Sequence, residues 1–227
     1  MELKIIGAGF PRTGTTTLKI ALEQLGFQKT YHFKDLMANP SVVNYWNELE
    51  KTGATNFDAL FDGYVATVDF PGYPYYKVLL KKYPDAKVIL TKRDFDAWYA
   101  STQKTIAKVG PETISSRPEL AAKLDTNQRL NDTQECFKFF KNTYIRKQFD
   151  DQFDTRSVAE KVFHEHIQSV IDFVPQKQLL VYDVTEGWAP LCAFLSLDIP
   201  KTDFPHVNKG ENFNDMLEHM LAEAAKG

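Results

Sequence analysis

The opening segment constrains the fold of this chain more than any other part of the sequence. A mostly apolar run at residues 3–8 leads into a glycine- and threonine-rich stretch at residues 9–17. Leucine and alanine then recur at helical spacing as far as Leu25, and Gly26 follows as a C-terminal cap. This order predicts a buried strand, a tight turn and a helix. A strand joined to a helix in this way is typical of proteins built on a parallel sheet.

The same alternation continues along the chain. The apolar pattern predicts further strands at residues 64–68, 87–92 and 178–182. Further helices are predicted at residues 40–51, 74–83, 95–102, 155–174, 187–195 and 214–225. We therefore expect an α/β protein with a mostly parallel sheet and helices on both faces. Residues 1–227 are expected to form a single domain, with a helical insertion at about 105–175.

Composition and charge narrow the classes of partner. The chain has 27 basic and 30 acidic residues, a net charge of −3, so no global charge draws it to nucleic acid or an anionic membrane. An anionic ligand needs a local cluster of cations instead. The only two cysteines, Cys136 and Cys192, form no metal-binding or redox pair, and no apolar run approaches the ~20 residues of a membrane span. We expect a cytoplasmic protein without a metal site; its oligomeric state is left open.

The loop at residues 7–19 carries the strongest chemical signal. A glycine-bearing turn that opens a helix offers backbone N–H groups and the positive end of the helix dipole to an anion. The dinucleotide fingerprint G-x-G-x-x-G fails here because its third glycine is replaced by Arg12. The phosphate-binding Walker A motif aligns with Gly9, Gly14 and Thr16, but Thr15 stands where its lysine belongs. The nearest cation in the loop is Arg12.

This displaced cation is a feature of a known family. The string PRTGTT at residues 11–16 resembles the Pro-Lys-Ser-Gly-Thr-Thr loop of the P-loop sulfotransferases. In that family the loop holds the 5′-phosphosulfate of 3′-phosphoadenosine-5′-phosphosulfate (PAPS). The resemblance implies that Arg12 takes the catalytic role of the family's lysine. It also implies a set of further cofactor-binding residues in the loop, namely Thr13, Gly14, Thr15, Thr16 and Thr17.

Two further anchors for the nucleotide follow from the same resemblance. Arg93 comes directly after the predicted strand at 87–92, and Ser101 follows eight residues later. Sulfotransferases carry an arginine and a serine at this spacing, and both hold the 3′-phosphate. A late basic-Lys-Gly segment closes over the nucleotide in the family. Here its match is Lys209-Gly210, although Asn208 replaces the usual arginine.

Two residues are candidates for the catalytic base. Asp69 follows the predicted strand at 64–68, and the string ATVDFP at residues 66–71 resembles a small branch of sulfotransferases in which an aspartate is the presumed base. An aspartate in this role needs a pKa raised towards neutrality. His32, in the string TYHF at residues 30–33, is the second candidate, and the sequence leaves open which of the two is the base.

The resemblance implies a PAPS-dependent sulfotransferase with a P-loop-type fold, which transfers a sulfuryl group to a hydroxyl or amine of a small-molecule acceptor. The insertion at 105–175 is then expected to form a lid over the acceptor. Two alternatives stay open. A P-loop nucleotide kinase or NTPase is possible because the string LLVYD at residues 179–183 resembles a strand that holds Mg²⁺. A non-catalytic nucleotide-binding protein would use the same pocket without turnover.

Overall fold

The computed structural model describes residues 2–206 and 213–226. Within these residues one sheet contains five strands, and all neighbouring strands are parallel. In chain order the strands are β1 (Ile5–Gly7), β2 (Thr30–Tyr31), β3 (Ala66–Thr67), β4 (Lys87–Thr91) and β5 (Leu179–Tyr182). Their order across the sheet is β2-β3-β1-β4-β5.

Strand β1 lies at the centre of the sheet. Ile5 is opposite Ala66 of β3 on one side and Lys87 of β4 on the other. Because the strands are parallel, the segments that leave β1, β3 and β4 all emerge at the same edge of the sheet. These segments are the anion loop, defined as residues 8–17, the turn at Asp69 and the turn at Arg93.

Both faces of the sheet are covered. Successive strand residues point to opposite faces, and the neighbours Ile5 and Ile6 are both fully buried. On one face Ile5 packs in a core that includes Leu18 and Leu191, from the helices that follow β1 and β5. The α/β architecture with a parallel sheet, expected from the alternating pattern, is confirmed.

The structure contains the following helices in the part of the chain that it describes. The α-helices are α1 (Thr15–Gln24), α2 (Phe33–Ala38), α3 (Val43–Thr52), α4 (Phe57–Leu60), α5 (Tyr76–Lys82), α6 (Phe95–Lys104), α7 (Glu112–Ser115), α8 (Pro118–Ala121), α9 (Gln128–Phe140), α10 (Arg156–Phe173), α11 (Trp188–Leu195) and α12 (Phe213–Ala224). Shorter turns are the 3₁₀ segments Pro40–Val42, Tyr73–Tyr75, Ile106–Lys108, Gln176–Gln178 and Val184–Glu186 and the π-helical segment Lys141–Lys147.

Prolines and glycines explain where the helices begin and end. Gly26 ends α1 with φ 93°, a conformation that glycine adopts without strain. The helix expected at residues 40–51 begins as a 3₁₀ turn at Pro40 before α3 continues it. Pro111 and Pro118 divide the segment around them into the short helices α7 and α8.

The described chain divides into two compact units. The sheet unit comprises residues 2–33, 61–98 and 163–206 and contains all five strands. The helical unit comprises residues 34–60, 99–162 and 213–226. Within the helical unit α9 contacts α3 and α12, and Asn127 Nδ2 donates to the carbonyl of Ala224. The single domain with an insertion at about 105–175 stays a prediction. None of the described helices is both long and apolar enough to span a bilayer.

Candidate active site

The anion loop rests on the end of β4. A Cβ atom placed on Gly9 would lie 1.9 Å from Thr91 Oγ1 and 2.7 Å from the carbonyl oxygen of Thr91, so only glycine fits there. Thr13 Oγ1 lies 2.6 Å from Thr91 Oγ1 and donates to the Phe10 carbonyl, also at 2.6 Å. These contacts fix the loop against the strand that precedes Arg93.

Arg12 stands in a strained part of this loop. Its φ is 72°, a left-handed value that a residue with a long side chain rarely adopts. Arg93 Nη1 donates to the main-chain oxygen of Arg12 at 3.1 Å. A hydrogen bond therefore joins the two arginines to which the family resemblance assigns the two phosphate groups.

The loop ends at the N-terminus of α1. Gly14 is the N-cap, with φ 100°, and no side chain caps the helix there. The N–H groups of the first turn, which includes Thr15, Thr16 and Thr17, have no acceptors inside the helix. Together with the helix dipole, these donors favour an anion at this point.

Asp69 lies directly after β3 and reaches the first residue of α1. Thr15 Oγ1 donates to Asp69 Oδ1 at 2.9 Å, and the aspartate is only 6% exposed. Its φ of 67° is again left-handed, which aspartate and asparagine tolerate better than most residues. Burial raises the pKa of Asp69 from 3.8 to about 7, against the lowering effects of the Thr15 hydrogen bond and the Arg12 charge. The carboxyl is thus poised to exchange a proton near neutral pH.

His32 completes the group. It follows β2, a strand of two residues that the apolar pattern did not predict, and it is 5% exposed. His32 Nε2 lies 3.4 Å from Asp69 Oδ2 and 3.3 Å from Thr16 Oγ1. The structure therefore brings both candidate bases together with the first turn of α1.

Comparison with known proteins decides the family. The family model described as "Sulfotransferase domain" matches residues 4–213, almost the whole chain. The chain belongs to the sulfotransferase family. This confirms the resemblance seen in the loop at residues 11–16.

Two known proteins are similar to this sulfotransferase family member. Ava biosynthesis cluster protein M of Aspergillus versicolor is 29% identical over 214 residues, which cover 90% of this chain and 80% of that protein. The crystal structure of a sulfotransferase from Alicyclobacillus acidocaldarius is 15% identical, with a TM-score of 0.45, and the match covers 100% of this chain and 94% of that one.

The hydroxyl groups of three loop threonines form hydrogen bonds within the protein. The Thr13 hydroxyl is hydrogen-bonded to Phe10 and Thr91. The Thr15 hydroxyl donates to Asp69, and the Thr16 hydroxyl is hydrogen-bonded to His32. Thr17 is buried on α1. The hydroxyls of Thr13, Thr15 and Thr16 thus already have partners within the protein.

Ser101, Lys209 and Gly210 are the remaining predicted anchors. Ser101 is on α6 in the helical unit, where its carbonyl accepts a hydrogen bond from Thr105 Oγ1, and its pairing with Arg93 stays a prediction. Lys209 and Gly210 lie outside the described residues.

One further residue reaches the loop from α10. His166 Nε2 lies 2.7 Å from the carbonyl oxygen of Ala8, the first residue of the anion loop. Burial lowers the pKa of His166 to about 4, so its ring is neutral at pH 7. No local pattern around His166 predicts this contact, because the two partners are 158 residues apart in the chain.

Asp183 ends the string at residues 179–183 that resembles a Mg²⁺-binding strand, and its side chain is hydrogen-bonded to a nearby residue. Its Oδ1 accepts from the N–H of Thr185 at 2.9 Å and from its hydroxyl at 2.7 Å. Glu186 accepts in return from the Asp183 N–H, which makes a capping box for the following turn. In the described ranges 2–206 and 213–226, no three or more His, Cys, Asp or Glu side chains cluster so that they could hold a metal ion.

Proposed function

We propose that this protein transfers a sulfuryl group from PAPS to a hydroxyl or amine of a small-molecule acceptor. One observation carries the proposal: the buried carboxyl of Asp69, with a pKa of about 7, is held 2.9 Å from the hydroxyl of Thr15. A proton acceptor thus lies directly beside the helix end that favours an anion. Membership of the sulfotransferase family supports the same reaction class.

The loop suits a donor that carries a phosphosulfate. When bound, PAPS supplies the sulfuryl group and a phosphate as its leaving group. The uncapped first turn of α1 offers backbone donors, and Arg12 adds a positive charge where negative charge develops on that phosphate. Arg93 has a planar guanidinium that can bind two oxygens of a 3′-phosphate.

Asp69 has the task of removing the acceptor's proton. As the acceptor oxygen or nitrogen bonds to sulfur and the sulfur–oxygen bond to phosphate breaks, the Asp69 carboxylate receives the proton that the acceptor loses. His32, 3.4 Å from this carboxylate, orients it and the acceptor. With a pKa near 7, the aspartate is basic enough to accept the proton and is still partly ionised at neutral pH.

Replacing Asp69 by asparagine tests the proposal. We expect Asp69→Asn to lower the rate at which PAPS is converted to 3′-phosphoadenosine-5′-phosphate (PAP) by roughly 10²–10⁴-fold. The rate is measured with a panel of phenols, alcohols and amines as acceptors. The Kd for PAP, from calorimetry, should stay within a factor of about two because the cations and amides are unchanged. An unchanged rate would refute Asp69 as the base. A larger loss in His32→Asn than in Asp69→Asn would assign the base to His32.

The kinase or NTPase alternative makes an opposite prediction. Asp183 is bonded to Thr185, and Thr15 replaces the Walker lysine, so neither usual partner of a Mg²⁺-nucleotide is in place. We expect thermal stabilisation by PAP to exceed that by ADP-Mg²⁺, and transfer to persist in EDTA. Stabilisation by ADP-Mg²⁺ alone would favour the kinase. PAP binding by the wild type without transfer to any acceptor of the panel would favour a non-catalytic nucleotide binder.

The location of the protein and its partners are expected from the sequence. A cytoplasmic location, a small-molecule acceptor and the absence of nucleic-acid and membrane partners are predictions that rest on composition and family resemblance. Transfer rates across the panel of phenols, alcohols and amines would identify the class of acceptor.

A further inference from the structure

Side chains from outside the anion loop hold its carbonyl groups. His166 Nε2 lies 2.7 Å from the carbonyl oxygen of Ala8, and Trp98 Nε1 donates to that of Pro11 at 2.9 Å. We propose that His166 and Trp98 are positioning residues for the anion loop, which turn its carbonyls away from the bound phosphosulfate. This inference rests on the proposed function of the loop.

The geometry of the peptide bond links these contacts to the ligand. In a trans peptide the carbonyl of one residue and the N–H of the next point in opposite directions. A donor that fixes the Ala8 carbonyl therefore also directs the Gly9 N–H, and one that fixes the Pro11 carbonyl directs the Arg12 N–H. Carbonyl oxygens carry partial negative charge and repel an anion, whereas N–H groups attract it.

Trp98 also acts on the strained backbone of Arg12. The carbonyl before Arg12 accepts from Trp98, and the carbonyl of Arg12 itself accepts from Arg93. Both peptide groups that flank the left-handed φ of 72° are thus held by side chains. Strained backbone persists only where its surroundings over-determine it, and these two bonds supply that constraint.

His166 is itself held in one orientation. Its ring lies 4.5 Å from that of Phe10, 5.5 Å from that of Tyr73 and 5.9 Å from that of Tyr76, measured between centroids. Because the imidazole is neutral, contact with a carbonyl places its single proton on Nε2. His166 therefore donates one directed hydrogen bond to the start of the loop.

A comparison of two nucleotides separates positioning from general stability. PAP carries the 5′-phosphate that the loop is proposed to hold, and adenosine 3′-phosphate lacks it. The variants are His166→Phe, which keeps a ring without the donor, and His166→Gln, which keeps a donor. The matched control is His164→Phe, because His164 is exposed on the same helix and its ring contacts are with Phe95 and Phe163.

We expect His166→Phe to weaken PAP binding about fivefold, the net value of roughly one hydrogen bond, with no change for adenosine 3′-phosphate. His166→Gln should restore most of the PAP affinity, and His164→Phe should match the wild type. Equal losses for both nucleotides, or no loss for either, would overturn the inference. If His166→Phe does not fold, Trp98→Phe makes the same test at Pro11. A wild-type protein that does not prefer PAP over adenosine 3′-phosphate would refute the proposed function itself.

Discussion

Arg93 Nη1 donates a hydrogen bond of 3.1 Å to the main-chain oxygen of Arg12. The family resemblance implies a separate phosphate for each of these arginines, and they are 81 residues apart in the chain. In the folded protein the proposed anchor for the 3′-phosphate thus also supports the backbone of the proposed anchor for the 5′-phosphosulfate. A change at Arg93 should therefore affect both ends of the nucleotide.

Arg93→Lys tests this double role. Lysine keeps the charge but not the planar fork, so it cannot hold the Arg12 carbonyl and two phosphate oxygens together. We expect the Kd for PAP to rise roughly 10–100-fold, about 1.4–2.8 kcal/mol, in calorimetry. Affinity for 5′-AMP, which lacks the 3′-phosphate, should also fall, because Arg12 loses its support. Arg146→Lys, at an exposed arginine of the helical unit, is the control. Unchanged 5′-AMP binding would show that the two anchors act independently.

The pH dependence of transfer should report Asp69. Only the ionised carboxylate can accept a proton, so the rate should rise with pH and reach half its plateau near pH 7. The Thr15 hydrogen bond lowers the pKa of Asp69, so Thr15→Val should move this midpoint to higher pH. Measured pH–rate profiles check both statements. A midpoint in Thr15→Val at or below that of the wild type would contradict the assignment.

The same carboxyl should reduce stability at neutral pH. In the folded protein the pKa of Asp69 is about 7, and in the unfolded chain it is near 3.8. Between these values the folded state binds the extra proton, so stability falls as pH rises from about 4 to about 7. We expect Asp69→Asn to unfold roughly 5–10 °C above the wild type at pH 8, with a smaller gap at pH 4.

Thermal unfolding at the two pH values measures this difference. Asparagine keeps the left-handed backbone accessible at this position, so the substitution adds little strain of its own. Asp58→Asn, at an exposed aspartate, should show no such pH-dependent gain. A gap between Asp69→Asn and the wild type that does not vary with pH would contradict the raised pKa.

The close contact between the anion loop and Thr91 can be tested at Gly9. A Cβ at this position would meet the backbone and side chain of Thr91, and the backbone cannot move aside easily. We expect Gly9→Ala to lose about 1–3 kcal/mol of unfolding free energy and to lose PAP binding as the loop shifts. Gly63→Ala is the control, since a φ of 79° would strain an alanine there but its Cβ would meet nothing within 4 Å. Gly63→Ala should lower stability without lowering the affinity for PAP. Equal losses of PAP affinity in the two variants would argue against a specific role of the contact between Gly9 and Thr91.

Much of the site follows from local sequence. The glycine and threonine residues at 9–17 predict the loop, and the strand ends predict the positions of Asp69 and Arg93. Strand β2 was missed because two residues are too few to show a periodic pattern. His32 therefore had no predicted place at the sheet edge. The only local signal for it is the Tyr-His pair at residues 31–32, which the resembling branch of sulfotransferases also carries.

The sequence by itself determined the alternation of strands and helices, the loop with its displaced cation, and the family, because these depend on the order of neighbouring residues. Tertiary structure alone decided the contact of Asp69 with Thr15 and His32, the raised pKa, the bond between Arg93 and Arg12 and the reach of His166. These depend on which strand lies beside which and on how much water is excluded. Both are properties of segments far apart in the chain, so no local pattern encodes them.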